Sequence, residues 1–219
     1  DQLMADVRRQ EETTRQYQLQ ALSSQINPHF LYNTLDTIVW MAEFNDGQRV
    51  VDLTKSLAKY FRLALNQGQE QIRLQDEIDH VRQYLFIQKQ RYGDKLNYEI
   101  FEEGRLGDYQ LPKLVLQPLV ENAIYHGIKE MDRPGMIRVT SEIREEQVVL
   151  TIYDNGRGFA LSESTDQTLL RLGGVGLKNV DQRLRLQFGA SYHMEIDSKA
   201  NSYTKITLYL PLTSRDEHS

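Results

Sequence analysis

The chain has 219 residues, no cysteine and a formal net charge of −5. That size holds one large domain or two small ones and buries a core without disulfide or metal staples. Missing cysteine excludes disulfide frameworks, zinc–thiolate sites and cysteine nucleophiles, and the acidic balance speaks against a general nucleic-acid binder, because a phosphate backbone demands a basic surface. No apolar run approaches the ~20 residues that span a bilayer, and no signal peptide is visible. The chain opens at Asp1 without a methionine, which is compatible with a fragment and a membrane segment upstream.

Residues 1–27 are polar and free of Pro and Gly, with Leu19, Leu22 and Ile26 at helical spacing. They read as a solvated signalling helix, the end of a coiled coil entering from upstream; a frayed tail is the other reading. Pro28 interrupts the pattern and kinks the rod. The spacing then predicts a helix with a seam at Leu31, Leu35, Ile38 and Ala42, closed by the turn residues Asn45-Asp46-Gly47, and a second helix with a seam at Val50, Leu53, Leu57, Phe61 and Ala64, stopped by Gly68. Such a hairpin has too little core alone, and two copies make a four-helix bundle over residues 31–65.

A third helix is predicted from Leu74 to about Arg91, closed by Gly93-Asp94. The texture then changes. Leu96–Phe101 alternates like a strand, a helix runs from Pro112 to about His126, strands follow at Ile137–Ile143 and Val148–Tyr153, and a loop rich in Gly, Ser and Thr covers 156–176. A helix at about Leu177–Phe188 and strands at 192–197 and 203–210 end the chain. This half reads as α+β with a mixed or antiparallel sheet. The domain boundary is placed near residue 93, giving 1–27, 28–93 and 94–219.

Four segments carry chemistry. With the Leu31 seam at 0° and about 100° per residue, His29 lies at about 160° and Asn33 at about 200°, both facing water. An exposed imidazole suits a nucleophile that a mobile partner must reach, and also suits an ordinary surface histidine. On the later helix, Leu116, Val120, Ala123 and Ile124 form the buried stripe, and Asn122 and His126 lie one turn apart on the opposite face. An amide oxygen there is a hard ligand for Mg²⁺; a solvated polar face is the alternative. Asp154-Asn155-Gly156-Arg157-Gly158 follows a strand directly. Its carboxylate can accept a hydrogen bond from an exocyclic amine such as adenine's, and its glycines let a flat ring approach the backbone; it also reads as a plain turn. Gly173-Gly174-Val175-Gly176-Leu177 precedes a helix and exposes backbone N–H groups for phosphate, or serves as a flexible linker. It lacks both the dinucleotide fingerprint and the Lys-Ser/Thr ending of a P-loop.

In this order the segments resemble the LytS/YesM-type class of bacterial sensor histidine kinases, from about Leu19 to Leu212. Gln25–Leu35 is similar to that class's phosphoacceptor segment, Leu119–Gly127 to its N box, Asp154–Gly158 to its G1 box and Gly174–Asn179 to its G2 box; Glu77–Tyr92 also matches the YesM-like branch. The resemblance implies a dimerisation and phosphotransfer hairpin followed by a Bergerat-type (GHKL) α/β sandwich that binds ATP and Mg²⁺. It implies His29 as phosphoacceptor, Asn122 as Mg²⁺ ligand, Asp154 as adenine reader with Gly156 and Gly158 beside it, residues 159–172 as a mobile lid, and Gly174, Gly176 and Leu177 at the lid's phosphate end. Three positions stand out against common patterns. Tyr125 stands where the N box often has Lys, which passes phosphate contact to His126 or Lys129. Phe30 stands where other histidine kinases have an acid, which leaves Glu121 and Asn33 as candidates for handling the imidazole proton. Pro118 stands where water-activating ATPases of the superfamily carry Glu, which favours phosphoryl transfer over hydrolysis.

The expected function is therefore the cytoplasmic core of a homodimeric sensor kinase, joined to the membrane by an upstream segment. It autophosphorylates His29 and passes the phosphoryl group to an aspartate of a response-regulator receiver domain, typically one with an AraC-type DNA-binding output, with no direct nucleic-acid contact of its own. The rival readings are a nucleotide-binding dimeric scaffold and a GHKL-type ATPase.

Overall fold

A computed structural model of the chain describes residues 28–64, 70–129, 131–160 and 175–212. The helix expected over 1–27, and most of the expected lid, lie outside the described residues. Packing divides the chain into two compact units, Asp1–Gln67 and Gly68–Ser219.

The first unit is a helical hairpin, α1 (Pro28–Glu43) and α2 (Gly47–Ala64). Asn45 turns the chain with φ +58°, a left-handed conformation that asparagine tolerates better than most residues. Its N–H donates to the Ala42 carbonyl at 3.0 Å, and Asp46 Oδ1 then accepts the Arg49 N–H at 3.3 Å, so that Asp46 caps α2.

The buried stripe of α1 differs from the expected seam, whereas α2 buries Leu53, Leu57 and Ala64 of its expected seam. Phe30, Thr34 and Met41 of α1 are buried with Leu53, Leu57, Tyr60 and Ala64 of α2, and the Phe30 and Tyr60 rings lie 4.9 Å apart. Leu31 and Ile38 are only half-buried, whereas Leu35, Val39, Trp40 and Phe44 are exposed, Trp40 by 62% and Phe44 by 68%. The apolar face of α1 is wider than one seam. Its inner stripe pairs with α2, and the Leu31/Leu35/Ile38/Ala42 row sits about 100° further round, turned outward.

The second unit is a two-layer sandwich. Its sheet holds β2 (Leu96–Glu102), β4 (Gly135–Arg144), β5 (Gln147–Asp154), β6 (His193–Lys199) and β7 (Tyr203–Pro211) in the order β2-β4-β5-β7-β6. β2 runs parallel to β4 and all other pairs are antiparallel, so the sheet is mixed. Strand alternation sorts its faces. Ile137, Val139, Val148, Leu150, Ile152, Ile206, Leu208 and Leu210 are buried on one side. On the other, Glu99, Arg138, Tyr153, Lys205 and Asp197 are register neighbours across all five strands, with Arg138 Nε and Nη2 donating to Glu99 at 2.9 and 2.8 Å.

Among the described residues, three α-helices complete the unit: α3 (Leu74–Tyr92), α4 (Leu116–Asn122) and α5 (Val175–Phe188). The helix expected from Pro112 starts later, because Gln110–Pro112 forms a short strand, β3, paired with β1 (Gln71–Arg73). Beyond Asn122 the helix widens into a π-turn over Ala123–Ile128, where the Lys129 N–H donates to the Ile124 carbonyl at 2.8 Å. Such widened turns recur at functional sites.

The packing boundary falls at Gln67/Gly68, not near residue 93. Helix α3 sides with the sheet because Leu74, Ile78, Val81 and Leu85 are buried in the second unit's core, and because its Glu77 hydrogen-bonds the chain at Leu114–Leu116.

Candidate nucleotide site and phosphoacceptor histidine

Asp154 is the last residue of β5, and only 4% of it is exposed. The strand's inward face ends on it, so the side chain stays on the core side where the sheet stops. Its Oδ1 accepts the Gly156 N–H at 2.9 Å. Burial raises its pKa from 3.8 to about 7, partly offset by that hydrogen bond.

The loop after Asp154 is pinned on three sides. Asn155 exchanges backbone and side-chain hydrogen bonds with Met136 of β4 (Asn155 N–H to Met136 O at 3.2 Å, Met136 N–H to Asn155 Oδ1 at 2.7 Å). Arg157 N–H donates to the Gly127 carbonyl of the π-turn at 3.0 Å. Phe159 N–H donates to Ser198 Oγ at 3.0 Å, and Gly158 sits at φ +52° with Lys199 O where a Cβ would go. Gly127 and Gly156 are needed for close approach. A Cβ on Gly127 would stand 2.5 Å from Asp154 Oδ1, and one on Gly156 would collide with both Asp154 and Gly127.

These elements enclose an open pocket of about 400 Å³ lined by Asn122, His126, Gly127, Asp154, Arg157, Gly158, Phe159 and Thr204. Asn122 is buried, which excludes the alternative of a solvated polar face, and among the described residues its Oδ1 has no hydrogen-bond partner. A buried amide oxygen without a donor is costly unless something else satisfies it, and it suits a hard cation. His126, one turn on, is exposed. Thr204, Gly127 and Phe159 were not singled out from sequence. Thr204 is the direct register partner of Asp154 on β7, a signal that exists only once the strands are paired.

The other expected residues fall elsewhere. Glu121 does not line this pocket; its Oε1 accepts the Gln117 amide at 2.8 Å, and burial raises its pKa. Gly176 and Leu177 open α5, Leu177 is buried, and the nearest atom to a Cβ on Gly176 is Pro118 Cβ at 3.8 Å. Gly174 lies outside the described residues. Lys129 Nζ lies over the Tyr125 ring, 5.6 Å from its centroid. In the helical unit His29 is exposed, and the Asn33 amide lies 3.1 Å from its Nδ1, one turn away on the same face.

The buried strand-end carboxylate of Asp154 and the amide of Asn122 thus line one pocket with Gly127 and Gly158, on a mixed sheet packed against helices. Residues 107–214 match the family described as histidine kinase-, DNA gyrase B-, and HSP90-like ATPase, and residues 17–96 match the family described as histidine kinase. The sensor histidine kinase YesM of Bacillus subtilis is 35% identical over 199 residues, covering 90% of this chain and 34% of the relative. The sensor histidine kinase BtsS of Escherichia coli is 35% identical over 215 residues, covering 98% and 36%. Among solved structures, the histidine kinase domain of the Erythrobacter litoralis blue-light activated histidine kinase has the same fold at a TM-score of 0.52 and 17% identity, covering 91% of this chain and 96% of that one. The chain belongs to the sensor histidine kinases, and it spans about a third of the length of the curated relatives it matches.

Proposed function

We propose that this chain is the catalytic core of a sensor histidine kinase that transfers the γ-phosphoryl group of ATP to His29. The observation that carries the reading is the Asn122 Oδ1, buried and without a donor among the described residues, in the pocket that Asp154 also lines. Asp154 accepts the adenine amino group, and Thr204 beside it supports the same edge of the ring. Asn122 would hold Mg²⁺, and His126, which lines the same pocket, would serve the phosphates. When bound, that ion draws charge off the transferring phosphoryl group.

His29 attacks in line through Nε2. The N–P bond forms as the bond to the bridging oxygen breaks, and ADP leaves with that electron pair. An asparagine side chain offers both a donor and an acceptor. In the structure Asn33 Nδ2 lies 3.1 Å from His29 Nδ1; with the amide turned over, Asn33 Oδ1 accepts a hydrogen bond from Nδ1–H and keeps the Nε2 lone pair outward. Glu121, whose pKa burial raises, is a better proton acceptor near neutrality than an ordinary carboxylate, and it takes the proton released as the phosphoimidazole forms.

Asn122→Ala tests the metal assignment. Affinity for ATP in EDTA should stay within about twofold of the parent, while the gain on adding Mg²⁺ falls by about tenfold or more, as for a lost charge-assisted contact. Equal losses with and without Mg²⁺ in a nucleotide titration contradict it.

The functional unit is a homodimer. The exposed row of Leu35, Val39, Trp40 and Phe44 on α1 is what a second hairpin covers in a four-helix bundle. Leu35 and Leu57 should now behave differently. Leu35→Asp places a carboxylate on the outward row and should give folded monomers. Leu57→Asp buries an unpaired charge inside the hairpin, costing several kcal/mol, and should unfold it while residues 68–212 still bind nucleotide. Light scattering with circular dichroism separates the two; a full Leu35→Asp dimer at micromolar concentration rejects this interface.

The phosphoryl group then passes to an aspartate of a receiver domain, with an AraC-type output as the partner typical of the YesM-like branch. Among the described residues no helix is long and apolar enough to cross a membrane; membrane attachment is assigned to a segment upstream of this chain, acting through residues 1–27.

A further inference from the structure

The start of α4 lacks a cap of its own. Val115 precedes the helix and has no polar side chain, and Pro118 in the first turn has no N–H to place. The N–H groups at this buried point go instead to one carboxylate from another helix. Glu77 of α3 is 1% exposed, its Oε1 accepts from Leu114 N–H, and its Oε2 accepts from Val115 and Leu116 N–H at 3.1 and 3.0 Å. Leu114 sits at φ +58°, a left-handed conformation that a leucine keeps only when its surroundings enforce it.

Two further elements meet here. Arg183 of α5 donates from Nη1 to the Lys113 carbonyl at 2.9 Å, and its charge favours the ionised form of Glu77 against the burial that raises its pKa. On the other side, Lys113 N–H donates to the Glu70 carbonyl at 3.2 Å, continuing the β1–β3 pairing. Asn122 lies six residues beyond Leu116, about 9 Å along the helix axis at 1.5 Å per residue. A turn that slackens at Leu114–Leu116 therefore moves the amide oxygen that faces the pocket.

We propose that Glu77 is a positioning residue for the nucleotide site: with Arg183 it clasps the strained turn before α4 and so fixes Asn122 in the pocket. This rests on the reading of Asn122 as the Mg²⁺ ligand. The clasp joins α3, the first helix after the histidine hairpin in the chain, and α5, the helix after the lid segment, to one turn.

The test uses the full chain with Glu77→Gln and, separately, Arg183→Ala. The first turns one acceptor oxygen into a donor that faces N–H groups. The second removes an exposed guanidinium and leaves the core untouched. Amide hydrogen exchange should speed up across residues 116–128 by about tenfold or more in Glu77→Gln and several-fold in Arg183→Ala, with β5 unchanged. In the same samples ATP affinity in EDTA should stay within about twofold, and the gain on adding Mg²⁺ should fall by about fivefold or more in Glu77→Gln. Unchanged exchange in both variants overturns the clasp. So does a loosened helix with the Mg²⁺ gain intact, or equal affinity loss with and without Mg²⁺, which marks a merely structural carboxylate. If Glu77→Gln does not fold, Arg183→Ala decides by the same measurements. If the parent chain itself shows no Mg²⁺ gain, the Asn122 assignment fails, and the exchange rates alone decide the clasp.

Discussion

His29→Gln should reduce labelling of the protein by γ-labelled ATP to background while nucleotide affinity stays within about twofold. Glutamine removes the only ring nitrogen in this segment that can attack phosphorus, and an amide is not a nucleophile of comparable strength near neutral pH. Affinity should survive because His29 and the pocket residues belong to different compact units, and no pocket-lining residue comes from the hairpin. Asn33→Ala should act on rate alone. It removes the group 3.1 Å from His29 Nδ1 that selects the ring tautomer, and a loss of about tenfold fits the loss of one orienting hydrogen bond. Label retained on His29→Gln places the phosphoacceptor elsewhere.

Asp154→Asn should weaken ATP and ADP alike, by about tenfold to over a hundredfold, because a charge-assisted hydrogen bond to the adenine amine is lost. The pH dependence distinguishes this from simple damage. Burial holds the empty-site pKa at about 7, and the ionised carboxylate is much the stronger acceptor for the amine. Parent affinity should therefore rise by about tenfold between pH 6 and pH 8 as the ionised fraction grows, and Asp154→Asn should be flat. Stability runs the other way. The folded pKa lies above the unfolded value of 3.8, so between about pH 4 and pH 7 the empty folded state holds a proton that the unfolded chain has lost, and this group's contribution falls as pH rises through that window. The melting temperature of the empty parent relative to Asp154→Asn should decline over the same range. A parent affinity independent of pH contradicts the assignment.

Much of this site could be read from the sequence because its residues are local. Asp154 ends an alternating strand, and the glycines that admit a ring lie two and four residues on. What sequence spacing missed came from elements that meet only in the fold. Thr204 is fifty residues from Asp154 and reaches it through the β5–β7 register. Asn122 was placed opposite the apolar stripe by helical angle, and only the fold shows that this side is buried too, with the amide oxygen left unpaired among the described residues. The α1 seam was misplaced by one stripe, though the α2 seam kept Leu53, Leu57 and Ala64, because heptad spacing cannot separate a face covered by the partner helix from one that awaits a second hairpin. Likewise α3 has the polar texture of the hairpin helices, and its membership of the sheet unit shows only in the fold, where its apolar stripe is buried and its Glu77 hydrogen-bonds Val115.

The central claim is that ATP bound in the second unit phosphorylates a histidine of the first. The most direct measurement is to incubate the chain with γ-labelled ATP and Mg²⁺, and to follow the label on the protein through acid and through alkali, with peptide mapping of the surviving label. A phosphohistidine is labile in acid and stable in alkali, and the label should map to the peptide carrying His29. Free phosphate released with no label on the chain, or an acid-stable label on another residue, contradicts the account.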